Sequence, residues 1–425
     1  MADKDLGPWS KPLAFVLLAL GILALLAGCG GGSANSSAAG TNASVSTNLP
    51  AGSNVLAISV EAGPGNNVNI PYVTVTVCSP GGSVGSSNCK DIEHVLLDTG
   101  STGLRLFASV VGAAPALTLA AQRIGNSSNI SECAQFLNAQ AWGSIKLADV
   151  VLGGERAPSV PVQLMDSSYP TGLNSVCGNS PVMAQTSSTS ANLQNLGANG
   201  ILGLSLFAHD GQHYFNCASP STNCQIFPTA AQQVQNPVGL FGVSSSNGVA
   251  NNNGVIVQLP AVSAAGQSSA TGALIFGVDT QSNNALGAAN VVPVNATSGY
   301  FTTTYKGRQL THSFMDSGSN GLYFYDASLS TSCSTAVSGF YCPPSTQSLT
   351  ASIQLASTSA TVNFSIANAD TLFQASNYAF NDLGGTMVSN SFDWGLPFFF
   401  GRSVYTVIEG HSVGTTPGPF YAFTN

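Results

Sequence analysis

The stretch Asp98-Thr99-Gly100-Ser101-Thr102-Gly103-Leu104 returns 218 residues later as Asp316-Ser317-Gly318-Ser319-Asn320-Gly321-Leu322. Each copy follows an apolar run, Val95-Leu96-Leu97 or Phe314-Met315, and leads into another, Leu106-Phe107 or Tyr323-Phe324-Tyr325. An apolar strand, a hydroxyl-rich Asp-Gly turn and a second apolar strand present one carboxylate from a tight loop. Two such loops predict an internally duplicated chain that brings Asp98 and Asp316 face to face.

The residues around the loops repeat as well. In the first half, Gly143 to Gly154 alternates like a strand and ends in a Gly-Gly turn, and Pro161-Val-Gln-Leu-Met165 reads as the returning strand. Then comes Asn199-Gly200-Ile-Leu-Gly203-Leu204. In the second half, Thr271 to Asp279 gives another strand and turn, followed by Asp316 and then by Asp393-Trp394-Gly395-Leu396-Pro397-Phe398 and Val404 to Ile408. The apolar element ending in Gly lies 105 residues after the first aspartate and 79 after the second. A single D-T-G-S string reads as a surface Asx turn. Two copies, each followed in order by its glycine-ending partner, do not. A calcium loop would need Asp or Asn at every second position, which neither copy has.

Composition sets the surroundings. The 425 residues include 46 glycines, and Ser, Thr and Asn stand between short Val/Ile/Leu runs, so a turn-rich all-β domain is expected. Only 7% of residues are charged, and 10 Lys+Arg against 18 Asp+Glu leave no basic stripe for nucleic acid. Residues 1–28 read as a lipoprotein signal peptide: Lys4 and Lys11 precede an apolar run from Leu13 to Leu26, which ends in Leu26-Ala27-Gly28-Cys29. An ordinary signal peptide with a chance cysteine, or an uncleaved anchor, is the other reading. Cys29 is expected to carry the lipid, and residues 29–50, rich in Gly, Ser, Ala and Asn, to be a flexible tether. By resemblance to lipoproteins, the lack of Asp after Cys29 favours the outer membrane of a bacterial cell envelope. No Lys or Arg occurs between Lys11 and Lys90, so no basic inhibitory prosegment is visible.

Setting Cys29 aside leaves eight of the nine cysteines. The expected disulfides are sequential, Cys78–Cys89, Cys133–Cys177, Cys217–Cys224 and Cys333–Cys342. No C-x-x-C occurs and the five histidines are not spaced with the cysteines, so neither a metal nor another cofactor is expected.

The order of these elements resembles the pepsin-like aspartic peptidases, over nearly all of the chain beyond the tether. A bacterial branch of exported lipoproteins on the same template would carry the same marks. The resemblance implies an all-β, bilobal fold: two β-barrel-like lobes related by a pseudo-two-fold axis, residues 51–248 and 249–425, with an active-site cleft between them. It implies a water activated between Asp98 and Asp316 to hydrolyse peptide bonds. Thr99 and Ser317 would lock the loops together, Ser101 and Ser319 would hold the outer carboxylate oxygens, and Gly100 and Gly318 would let backbone N–H groups approach. The expected partner is a polypeptide in the cleft, the membrane is touched through lipid alone, and the protein is expected to act as a monomer. Two departures from the family pattern stand out. Phe136 falls where the flap tyrosine would be and Arg105 where its tryptophan partner would be, leaving Phe136 and Trp142 as flap candidates. Asp393, where an apolar residue is usual, is expected at a strand end. An inactive binding or scaffold protein on the same fold is the alternative.

Overall fold

The computed structural model describes residues 44–46, 48–112, 117–124, 128–137, 139–166, 177, 180–185, 193–217, 224–226, 233–243 and 248–425. The fold is all-β, and among the described residues the helices are short turns such as Ala369–Gln374 and Leu396–Phe399. Among the described residues no helix is long and apolar enough to cross a membrane. The expected signal peptide and the expected lipidation site Cys29 lie outside the described residues. Within the stretch expected to be tether, Ser44–Ser46 runs parallel to the strand Ser269–Phe276.

In the first half, Pro71–Cys78 pairs antiparallel with Cys89–Asp98, and the turn between them is closed by the Cys78–Cys89 disulfide. The chain rounds the Asp98 loop into Thr102–Phe107. A crossing strand, Gly200–Leu204, then lies between the two arms of that loop. It is parallel to the first arm, with Gly203 opposite Asp98, and antiparallel to the second, with Gly203 opposite Gly103. The second half repeats the device. Phe392–Trp394 runs parallel to Arg308–Met315 and antiparallel to Leu322–Phe324, with Trp394 opposite both Met315 and Leu322. One step further, Gly395 meets the second loop as Gly203 meets the first.

Those glycines are required by contact. A Cβ on Gly203 would stand 2.8 Å from the backbone of Ser101, and one on Gly395 would stand 2.1 Å from the carbonyl oxygen of Gly321. The apolar layer beneath both loops, Leu97, Leu104 and Leu202 with Met315, Leu322 and Trp394, forms one core across the halves. Fully burying each such side chain is worth about 1.5–3 kcal/mol. This shared floor fixes the loops against each other.

The halves are also joined by a strand. Val55–Val60 pairs antiparallel with Ser269–Phe276, which continues through Gly254–Gln258 to Ser403–Val407 and Phe420–Phe423. The boundary expected at 248/249 therefore does not separate two independent sheets. Among the described residues one continuous sheet contains strands of both halves, and a second of seven strands belongs to the later half alone. Long-range pairing of this kind leaves no local mark in a sequence.

Three expected disulfides are formed, Cys78–Cys89, Cys217–Cys224 and Cys333–Cys342. Cys133 and Cys177 are not joined in a disulfide: both are buried, in hydrogen-bonding contact with each other and packed in a cluster with Trp142 and Phe215. Cys133 sits across its hairpin from Trp142, and its Sγ lies 3.6 Å from Oε1 of Gln140 on the same facing strand.

Candidate active site

Each loop holds its aspartate in the same way. The Gly100 N–H donates to Asp98 Oδ1 at 2.8 Å, and the Ser101 hydroxyl donates to Oδ2. The Gly318 N–H donates to Asp316 Oδ1 at 2.8 Å, and the Ser319 hydroxyl donates to Oδ2 at 3.0 Å. Between the loops the second residues grip each other reciprocally. The Thr99 N–H donates to Ser317 Oγ at 3.1 Å, and the Ser317 N–H donates to Thr99 Oγ1 at 2.9 Å. Each hydroxyl in turn donates under the opposite loop, Ser317 to Leu97 O at 2.8 Å and Thr99 to Met315 O at 3.4 Å.

This grip brings the carboxyl groups into hydrogen-bonding contact with each other. Gly100 faces the second aspartate so closely that an added Cβ would lie 2.5 Å from Asp316 Cγ. No other residue type fits there. Both carboxyls are wholly buried. Burial, and then the neighbouring Asp316, hold Asp98 well above the usual carboxylate range; burial likewise raises Asp316, against the hydrogen bonds it accepts. Two carboxyls this close titrate as a pair and retain one proton between them over a wide pH range.

The flap expectations are corrected. Ser128–Gln135 and Gln140–Leu152 form a hairpin, but Trp142 is buried within it against Phe215, ring centroids 5.5 Å apart. It is not at a tip and has no free face to close. Phe136, at the turn, is 6% exposed and packs inward with Ile70, Tyr72 and Leu96. The hairpin end is itself tied down: the Gln140 N–H donates to Pro181 O at 2.9 Å and its side chain to Ser180 O at 2.6 Å.

Arg105 lies beside Phe136. Its guanidinium, 1% exposed, donates to Glu132 Oε1 at 2.5 Å, to Asp210 Oδ2 at 2.6 Å and to Thr102 O at 2.7 Å, and stands 5.9 Å from the Phe136 ring. The Tyr214 hydroxyl joins through Asp210 and accepts from the Val234 N–H. Burial opposes the arginine's charge, but Glu132 and Asp210 outweigh it and raise its pKa. Glu132, raised by burial against Arg105's pull, lies well above its ordinary range. Neither Glu132 nor Asp210 was singled out from the sequence, although a lone arginine in an apolar strand was the signal that carboxylates must meet it.

The halves are bridged beside the loops by Asn69. Its side-chain nitrogen donates to Asn320 O at 2.8 Å and Phe380 O at 2.9 Å, and its oxygen accepts from the Phe380 N–H at 2.7 Å. A cavity of about 510 Å³ lies in the later half rather than between the aspartates, lined in part by Leu322, Asp382, Trp394, Phe398 and Arg402. Cys333, Cys342 and Asp370 cluster at metal-ligand spacing, yet the two sulfurs are joined in a disulfide and Asp370 accepts from Ser334.

The chain belongs to the family described as Protein of unknown function (DUF3443), whose model matches residues 50–423. No curated protein matches the chain. Among solved structures it is similar to the aspartic proteinase from Irpex lacteus, at 15% identity and a TM-score of 0.45, covering 87% of this chain and 97% of that one.

Proposed function

We propose that the protein is an aspartic endopeptidase in which Asp98 and Asp316 activate a water between them. The observation that carries this reading is the pair of mutually hydrogen-bonded carboxyls, each fixed by a matching glycine N–H and serine hydroxyl. A structural aspartate needs one partner set; two sets converging on one point serve a reacting centre.

The dyad enters the reaction with one proton. The ionised carboxylate takes a proton from water as the water oxygen bonds to the scissile carbonyl carbon. The protonated carboxyl gives its proton to the carbonyl oxygen. When the tetrahedral species collapses, the C–N bond breaks, the leaving amine takes the proton of one carboxyl, and a hydroxyl of the gem-diol gives its proton to the other, which restores the singly protonated dyad. Such general acid–base action is worth about 10²–10⁴ in rate. Because both carboxyls are buried and the hairpin end is tied down, substrate entry requires the halves to part at Asn69 or the hairpin to lift. The substrate class is unfolded or extended polypeptide, and the enzyme would work as a monomer tethered through Cys29 in a bacterial envelope.

Complete burial of the dyad also favours a second reading, a scaffold that keeps the grip without turnover. One experiment separates them. Asp98→Asn and Asp316→Asn are each expected to abolish cleavage of unfolded protein, with stability equal or higher because like-charge strain is removed. A statine-type inhibitor, whose hydroxyl stands in for the attacking water, is expected to bind wild type and to lose affinity in both variants. Wild-type protein that cleaves no peptide library between acid and neutral pH, and binds no statine, leaves the scaffold.

A further inference from the structure

Asp393 is the middle residue of the crossing strand Phe392–Trp394, not the strand-end residue expected from sequence. It is 0% exposed, and neither of its carboxyl oxygens has a hydrogen-bond partner among the described residues. It stands opposite Phe314 on one side and Tyr323 on the other, two register steps from the aspartate of the second loop and so on the same face of the sheet. The strand then touches that loop at Ser319: a Cβ on Gly395 would lie 2.6 Å from Ser319 O, and the Leu396 N–H donates to the same oxygen at 2.7 Å. Ser319 is also the hydroxyl that holds Asp316 Oδ2.

We propose that Asp393 is a positioning residue of the dyad, a third and protonated carboxyl that acts on Asp316 through Ser319. This rests on the peptidase reading and adds to it the group that sets its acid limit. The chemistry of the surroundings requires the proton. An ionised carboxylate buried without a partner is expensive, and among the described residues no cation acts on this one. The titratable groups around it are Asp316 and Asp98 from the loops, Tyr323 from the adjoining strand and Tyr421 from the C-terminal strand, each neutral or negative. Burial, and then the charge of Asp316, hold Asp393 well above the usual carboxylate range. The Ser319 hydroxyl is close enough to bias Asp393, yet gives its own proton to Asp316. Its lone pairs are therefore available to accept from a protonated Asp393. A serine that accepts one hydrogen bond donates the next more strongly, so the chain Asp393 to Ser319 to Asp316 favours the ionised form of Asp316.

The test compares Asp393→Leu, which removes the donor, with Asp393→Asn, which keeps an N–H in its place. With cleavage as readout, Asp393→Leu is expected to move the acid limb of the kcat/KM profile upward by about one pH unit, a tenfold loss at its foot. Asp393→Asn is expected to stay near wild type. Equal profiles for Leu and wild type, or equal shifts for Leu and Asn, overturn the proposal. Infrared difference spectra supply a readout independent of turnover. A protonated-carboxyl band at pH 7, lost in Asp393→Asn, is expected whether or not the protein cleaves anything. Absence of that band means that Asp393 is ionised and ends the proposal while leaving the peptidase reading standing. Presence of the band in a wild type without cleavage ends the peptidase reading instead. There, an unchanged dyad titration in Asp393→Leu, followed through the band lost in Asp98→Asn, would end this proposal too.

Discussion

The two loops are near copies, yet each half places one foreign charged residue in the layer just below its aspartate and handles it differently. In the first half the pair across the crossing strand is Arg105 with Ile201; in the second it is Tyr323 with Asp393. Arg105 is met by two carboxylates and a carbonyl. Asp393 is met by none, and Tyr323 turns its hydroxyl to Asn320. One half compensates its charge and the other removes it by protonation. The backbone device and the dyad are thus alike in the two halves, while the layer beneath differs.

The largest test of this contrast is a pair of truncations. Arg105→Met leaves Glu132 and Asp210 buried without their cation and is expected to cost about 3–5 kcal/mol in urea unfolding. Asp393→Leu, which replaces a buried carboxyl without a cation by an apolar side chain and gives up at most one hydrogen bond to Ser319, is expected to cost no more than about 1 kcal/mol or to stabilise. Equal losses in the two variants would erase the distinction.

A smaller effect appears in the pH dependence of stability. Asp382, in the later half and without a cation, is pushed by burial up to about 6. The folded state then binds its proton more tightly than the unfolded state, so stability rises as pH falls from above 6 toward 4 and is lost as pH climbs through about 6. Asp382→Asn is expected to flatten that part of a thermal-unfolding series and to gain on the order of 1–3 kcal/mol at pH 7. A series unchanged by the substitution would show that the group is ionised in the folded state.

The smallest effect is at the surface of the same half. Asp326 is brought down to about 2, because hydrogen bonds from Lys306, Tyr305 and Ser328 outweigh burial. Its contribution is present above the unfolded value near 4 and fades as pH falls toward 2, opposite in sign to Asp382. Lys306 is half exposed, so Lys306→Met is expected to cost only about 0–1 kcal/mol, and less in high salt. A loss matching Arg105→Met would mean that exposure does not separate the two kinds of ion pair.

What could be read from the sequence follows from how local each signal is. The loops, their hydroxyls and the contact glycines Gly203 and Gly395 are local in pattern, and the structure places each of them where the repeat implied. Three short-range disulfides were equally legible. Arg105 announced that something must meet it, but its partners lie 27 and 105 residues away and carry no mark of their own. Asp393 was noticed and misplaced, since a charge suggests a strand end and only the flanking strands show it to be central. Trp142 stood as a flap candidate because aromatic character does not tell a lid from a core.

The pairing of Val55–Val60 with Ser269–Phe276 bears on how the chain acquires its shape. A strand that emerges early finds its neighbour only after more than 200 further residues have been made. Until then its edge is unpaired, and closing so long a loop carries an entropic cost that local contacts do not repay. The first half therefore cannot complete this sheet on its own during synthesis. Its completion waits for the second, making the joint between them the last part assembled and the step most exposed to aggregation.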